Sequence, residues 1–357
     1  MRPSAPADSR TSPGIAAGPP VTVAVTELEF GKAAEVFRGA AAGGMRCVPV
    51  PAAEAALVGA IRAHGARHVI VGVEAYKGPL YAALAPGGVI ARFGVGHDSV
   101  DQAQATARGL YCTNTPGALD DSVAEHTINL LLAAARHTVA VAGALAAGRW
   151  QGRVGSELKG KTLAVIGCGP IGCRVAAIAS RGLGMRVIGC KRTAEGAERI
   201  HQEFGFATVT TDFAAAVREA DFVSLHIPSL SETRCYLGAE RLALLPPTCW
   251  VVNTARGAVV DEEALYEALA AGRLAGAALD VFAREPYEPA APGKDFRTLA
   301  NVILTPHVGS STVEACERMA RRALRNLALA GAGRHAEMDL LNRAVLGRKA
   351  VSGKELP

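Results

Sequence analysis

Gly167-Cys168-Gly169-Pro170-Ile171-Gly172 follows an apolar run at 162–166 and opens a stretch of helical character. Glycine-rich turns are common, but one between a strand and a helix reads as a dinucleotide phosphate turn. In that reading Gly167 makes the tight turn, Gly169 lets backbone approach a pyrophosphate, and Gly172 lets helix pack on strand. The phosphate charge rests on the helix N-terminus, where free N–H groups and the dipole favour an anion. Pro170 removes one donor, yet its fixed φ suits a first helical turn. The next strand should end in an acid that binds the ribose hydroxyls of NAD. Here it runs Val187-Ile188-Gly189-Cys190-Lys191-Arg192-Thr193, and no acid appears before Glu195. Two cations and a hydroxyl suit a 2′-phosphate, so the residues favour NADP(H) over NAD(H). The competing reading is a solvated basic loop.

Such a turn needs a parallel sheet beneath it. Apolar runs at 21–25, 46–51, 69–73 and 89–93 read as strands, with helices at 33–43, 52–64 and 80–85. A long helix capped by Asp120 or Asp121 reaches Gly148, with Glu125 in its first turns. A second series has strands at 163–167, 185–189, 222–225, 250–253, 277–281 and 302–304. Helices at 171–182, 194–204, 212–219, 239–245 and 261–271 fill its gaps, and 312–330 forms a last helix. Alternating strands and helices predict two α/β units with parallel, doubly wound sheets.

At Arg256-Gly257, Glu285-Pro286 and Thr305-Pro306-His307 the chain resembles the D-isomer-specific 2-hydroxyacid dehydrogenases, which carry Arg, Glu and His in this order after the cofactor glycines. The likeness runs from about Val69 to Asn342. It includes Arg92-Phe93-Gly94-Val95-Gly96 with Asp98 and Asp101, Asn114-Thr115-Pro116, Val123-Ala124-Glu125, His226-Ile227-Pro228 with Thr233, Asn253-Thr254-Ala255 and Leu279-Asp280-Val281. The resemblance implies two Rossmann-like domains, one discontinuous. The substrate domain would be 21–118 plus 310–342, and the NAD(P)-binding domain, 119–309, would be inserted in it. It also implies a small 2-keto or 2-hydroxy acid substrate and a homodimer formed around 140–150. Val95 and Gly96 would grip the substrate carboxylate through backbone N–H groups. His226, Pro228, Thr233, Ala255 and Gly309 would lie along the cofactor, and Asp280 would accept the nicotinamide amide. Solvent-facing strand-end carboxylate is the alternative for Asp280.

The residue types support that chemistry. Reducing a 2-keto acid needs a hydride on C2 and a proton on its oxygen, and a histidine supplies such a proton near neutral pH. His307 follows a strand and a Thr-Pro turn, which aims it from a strand end into a cleft. Glu285, 22 positions earlier, would accept the other ring N–H and fix the ring. Arg256 offers a planar fork for the carboxylate and carbonyl oxygen. Which acid is reduced depends on the loop 73–77, where Lys77 is either a solvated cation or the partner of a second anionic group. Two rival readings are a dinucleotide-sensing regulatory protein on the same scaffold, and a phosphoglycerate-, formate- or phosphite-type dehydrogenase.

Composition limits the alternatives. The chain has 357 residues, half of them hydrophobic, and 38 basic against 33 acidic side chains give a formal charge of +5. That balance holds no basic block of the kind that marks a nucleic-acid partner. The stretch 127–148 is broken by Asn129, Arg136 and His137, too soon for a membrane span. Eight cysteines without a C-x-x-C pair point away from metal or disulfide frameworks and toward a reducing, cytoplasmic setting. Residues 1–20 read as a disordered leader and 343–357 as a tail.

Overall fold

The computed structural model describes residues 19–347. The proposed leader lies outside them except for its last two residues. Of the tail, Arg343–Gly347 form a short helical turn and the remainder is outside.

Short apolar segments pair in parallel because a helix returns the chain to the starting edge after each strand. In the first sheet these are β1 (Val21–Thr26), β2 (Met45–Val50), β3 (His68–Val71), β4 (Val89–Arg92) and β5 (Tyr111–Thr113), in the order β2-β1-β3-β4-β5. The second holds β6 (Thr162–Ile166), β7 (Arg186–Cys190), β8 (Thr208–Thr210), β9 (Phe222–Leu225), β10 (Trp250–Asn253), β11 (Gly276–Leu279) and β12 (Val302–Leu304). Its order is β12-β11-β10-β9-β6-β7-β8. Every residue of β3, β4, β6, β9 and β11 is buried, as expected of parallel strands covered on both faces. The fold is therefore two α/β domains with parallel doubly wound sheets. The strand order reverses between β6 and β9, and ligands of such sheets bind outside the carboxyl ends at that switch.

Two strands escaped the sequence reading. Tyr111–Thr113 and Thr208–Thr210 have three residues each and few apolar ones, too little for a periodic signal. The long helix expected to reach Gly148 is two helices, Asp120–Ala135 and Thr138–Ala146, bent by 67° at a left-handed His137. Asp120 and Asp121 lie in its first turn, after the cap position Leu119, and serve the helix dipole there.

Helix Asp120–Ala135 carries the chain between the sheets. Val123 packs with Val23, Ile70 and Phe93 of the first core, while Ile128, Leu131 and Ala135 pack with Leu163 and Val165 of the second. The last helix, Val313–Gly331, returns to the first core through Ala315, Met319, Ala323 and Leu327. Ser122 and Thr312, 2.8 Å apart, join the two crossings. Among the described residues no single helix is long and apolar enough to cross a membrane.

Candidate active site

The phosphate turn sits at the switch point. Gly167 has φ +101°, and a Cβ there would fall 2.5 Å from the His226 carbonyl, so the loops after β6 and β9 touch. A Cβ on Gly172 would strike the Gly167 carbonyl, whereas one on Gly169 meets nothing within 4 Å. Helix Pro170–Ala177 starts here with Pro170 in its first turn, and the N–H groups of Ile171 and Gly172 have no acceptor among the described residues. An open glycine facing unpartnered helix N–H groups fits a pyrophosphate.

Beyond β7 the cations separate. The Lys191 ammonium donates to the Glu195 carbonyl, closing its own loop. Arg192 and Thr193 are exposed, and Arg192 stands in the field of Glu232. His226 shares a 2.8 Å hydrogen bond with Ser224, and burial pulls its pKa down to about 4, so it is neutral at physiological pH. The Thr233 hydroxyl accepts from Leu230 N–H and donates to the Pro228 carbonyl, which fixes the turn 228–233.

At the carboxyl end of β10, the Asn253 amide donates to the Arg256 carbonyl and accepts from Ala255 N–H. Gly257 is required, because any Cβ would clash with backbone at Phe282 and Ala283. Phe282 N–H donates to Glu285 Oε1 at 3.0 Å, and Glu285 Oε2 meets His307 Nδ1 at 2.6 Å. The three residues are thus linked through one backbone crossing. His307 Nε2 has no partner among the described residues, and about a quarter of the side chain is exposed.

Arg256 also reaches the first domain. Its Nε donates to Asp98 at 3.1 Å, one of its terminal nitrogens donates to the Ala255 carbonyl, and the other occupies the space a Cβ on Gly96 would need. Burial opposes ionisation of Asp98, but Arg256 outweighs it and holds the carboxyl below its ordinary range. The N–H groups of Val95 and Gly96 have no acceptor among the described residues, while the Val95 carbonyl takes the Asn114 amide. A guanidinium beside two free N–H groups is a carboxylate-binding arrangement.

Asp280 is not the solvent-facing carboxylate of the alternative reading. It is 1% exposed. Its carboxylate accepts from Thr305, Val308 N–H and Gly309 N–H, with His126 Nε2 3.3 Å away. Its backbone carbonyl takes His307 N–H at 2.8 Å. Burial raises its pKa and these hydrogen bonds more than reverse that, so it is held ionised below the usual range. Asp280 does not face solvent, and Gly309 donates its N–H to Asp280. Together they brace the turn that carries His307, whose φ of 52° is unfavourable for a side-chain-bearing residue. His126 was missed by the sequence reading; nothing in a helical histidine signals a partner 154 positions away.

A parallel dinucleotide-binding sheet with an Arg, Glu and His converging beside its switch point defines a nicotinamide-dependent oxidoreductase. Residues 128–309 match the family described as D-isomer specific 2-hydroxyacid dehydrogenase, NAD binding domain. A glyoxylate reductase of Thermococcus litoralis is 41% identical over 269 residues, 72% of this chain and 78% of that one. One from Pyrococcus furiosus is 41% identical over 248 residues, covering 67% and 71%. The solved NADPH-dependent glyoxylate/hydroxypyruvate reductase of Sinorhizobium meliloti, in complex with NADP and malonate, has 30% identity and a TM-score of 0.72, over 87% of this chain and 93% of that one. The chain belongs to the D-isomer specific 2-hydroxyacid dehydrogenase family and is an NAD(P)-dependent oxidoreductase of the CH–OH group, acting on a small keto or hydroxy acid.

Proposed function

We propose that the protein is a glyoxylate/hydroxypyruvate-type reductase that prefers NADPH, with Arg256, Glu285 and His307 at its reacting centre. The observation that carries this reading is the 2.6 Å contact of Glu285 with His307 Nδ1, which leaves Nε2 without a partner among the described residues. The reduced nicotinamide, when bound, supplies a hydride to C2 of the keto acid. Arg256 and the N–H groups of Val95 and Gly96 hold the substrate carboxylate, and Arg256 stabilises charge on the carbonyl oxygen. His307 Nε2 gives that oxygen its proton, and Glu285 keeps the ring in the orientation and tautomer that allow it. Asp280 and Gly309 act as positioning residues behind His307.

The domain division follows the two crossings: 21–118 with 310–342 for substrate, and 119–309 for the cofactor, with Gly167, Gly169, Pro170, Ile171 and Gly172 at the pyrophosphate. His226, Pro228, Thr233 and Ala255 line the remainder of the cofactor path. Exposure of Val139, Leu145, Trp150 and Val154 supports a homodimer through this segment. The eight unpaired cysteines support a reducing compartment, the cytoplasm.

The cofactor choice rests on Arg192 and Thr193, since Lys191 is engaged within its own loop. Charge-assisted bonds to a 2′-phosphate, screened by exposure, favour NADPH roughly ten- to hundredfold in kcat/KM. Steady-state assays of glyoxylate reduction with both cofactors test this. Arg192→Ala should erase most of the NADPH advantage while NADH use stays level. An NADH preference in the parent enzyme would return these residues to a solvated face.

A further inference from the structure

Five buried side-chain polar atoms among the described residues have no hydrogen-bond partner: Glu74 Oε2, Arg92 Nε, Ser99 Oγ, Thr113 Oγ1 and Thr115 Oγ1. Folded proteins pair the large majority of such atoms, so their position is informative. All five lie in or just after the carboxyl ends of β3, β4 and β5, around the turn Gly94–Val95–Gly96. The seven-stranded domain contributes none.

Two of them differ from the hydroxyls because they carry charge. Glu74 sits in the loop after β3. That loop is fixed from both sides: Glu54 accepts the N–H groups of Gly78 and Leu80 at 3.0 and 3.1 Å, and Tyr76 N–H donates to the Ser99 carbonyl at 2.8 Å. Arg92 is 6% exposed, donates one terminal N–H to the Phe93 carbonyl, and packs on Gly94, where a Cβ would fall 2.6 Å from that nitrogen. Arg256, Glu29, Asp98 and Glu74 surround it; burial first and Arg256 second pull its pKa down to about 10. Glu29 enters beside Gly72, where a Cβ would lie 2.5 Å from its Oε1. Three carboxylates therefore face two guanidiniums, and one of those guanidiniums is assigned to the substrate carboxylate.

An orphan acceptor on Glu74 and an orphan donor on Arg92 match the one donor and one acceptor of a hydroxyl group. A second anionic group would instead meet Glu29 and Glu74. We propose that Glu74 and Arg92, with Ser99 beside them, form a polar subsite for a neutral hydroxyl on C3 of the substrate, selecting 3-hydroxy-2-keto acids and rejecting those with a second negative charge. This rests on the 2-keto acid reductase reading above. Lys77 takes no part; it is exposed.

The test compares kcat/KM for glyoxylate, pyruvate, hydroxypyruvate and 3-phosphohydroxypyruvate. Hydroxypyruvate should exceed pyruvate by roughly thirtyfold, because a site built around a hydroxyl rejects the analogue that lacks it. It should exceed the phosphorylated acid by roughly tenfold or more. Glu74→Ala should lower the value for hydroxypyruvate about tenfold more than for glyoxylate, and Glu74→Gln, which keeps the size, covers failure of the alanine variant to fold. Equal use of pyruvate and hydroxypyruvate by the parent, efficient use of the phosphorylated acid, or equal losses on both substrates in the variants would overturn the subsite. Glyoxylate turnover with any of those results leaves the reductase reading intact. No turnover of any 2-keto acid overturns that reading and the subsite together.

Discussion

His307 is the residue on which the proposed chemistry turns. Its ring is fixed by the Glu285 carboxylate, its backbone N–H by the Asp280 backbone carbonyl, and its remaining nitrogen has no partner among the described residues. His307→Gln should therefore lower kcat by roughly 10²–10⁴-fold, the usual contribution of a general acid. Cofactor affinity, read by quenching of protein fluorescence, should be nearly unchanged, since the ring contributes little of that contact. A parallel loss of both would give the residue a structural role instead. Glu285→Gln keeps the shape and removes the charge that orients the imidazole. Carboxylates that orient a histidine cost roughly 10–100-fold when changed, and a smaller loss in kcat than that of His307→Gln is the expected result.

Among the elements, the phosphate turn offers a comparison within one loop. Gly172 packs against the Gly167 carbonyl, and Gly169 opens on empty space. Gly172→Ala should destabilise the fold by about 1–3 kcal/mol through overpacking, seen as a Tm lower by several degrees. Gly169→Ala should leave Tm unchanged and raise the Kd for NADP(H) about tenfold or more, because its methyl occupies the pyrophosphate side. The reverse pattern would place the pyrophosphate elsewhere. This difference between two glycines of one motif was legible in the strand–turn–helix order; the structure adds that Gly172 packs on the Gly167 carbonyl and Val165.

Across the whole molecule, the helix Thr138–Ala146 and the segment after it leave Val139, Leu145, Trp150 and Val154 more than half exposed. Exposed apolar side chains of this kind, an aromatic among them, fit an interface between two copies. If the proposed homodimer forms there, the parent should have the mass of two chains by light scattering and Trp150→Glu with Leu145→Glu the mass of one; a dimer that survives both substitutions would move the interface. Stability should also carry a pH signature. His68 is 6% exposed, accepts Val89 N–H through Nδ1, and is pulled down to about pKa 4, by burial first and Arg67 second. Its folded pKa lies below its unfolded value of ~6.5, so between the two the unfolded chain binds the extra proton. Its contribution is complete above that upper value and is lost as pH falls toward 4, with a slope of up to about 1.4 kcal/mol per pH unit. His226 adds in the same direction. His68→Gln should flatten the fall in Tm across that window.

Local signals were enough to determine much of this protein. Strand–turn–helix order located the phosphate turn, continuous apolar runs located ten of the twelve strands, and the order of Arg256, Glu285 and His307 carried the family. Each is written in neighbouring residues or in side-chain type. Tertiary structure decided what depends on residues far apart in the chain meeting in space. Asp280 turned inward because Thr305, Val308, Gly309 and His126 all converge on it. Lys191 donates its ammonium to the Glu195 carbonyl, a contact within its own loop that residue type alone does not announce. Glu74 and Arg92 read as ordinary charges until packing takes one polar atom of each out of water beside one turn, where loss of hydration makes each unpaired atom a demand for a partner.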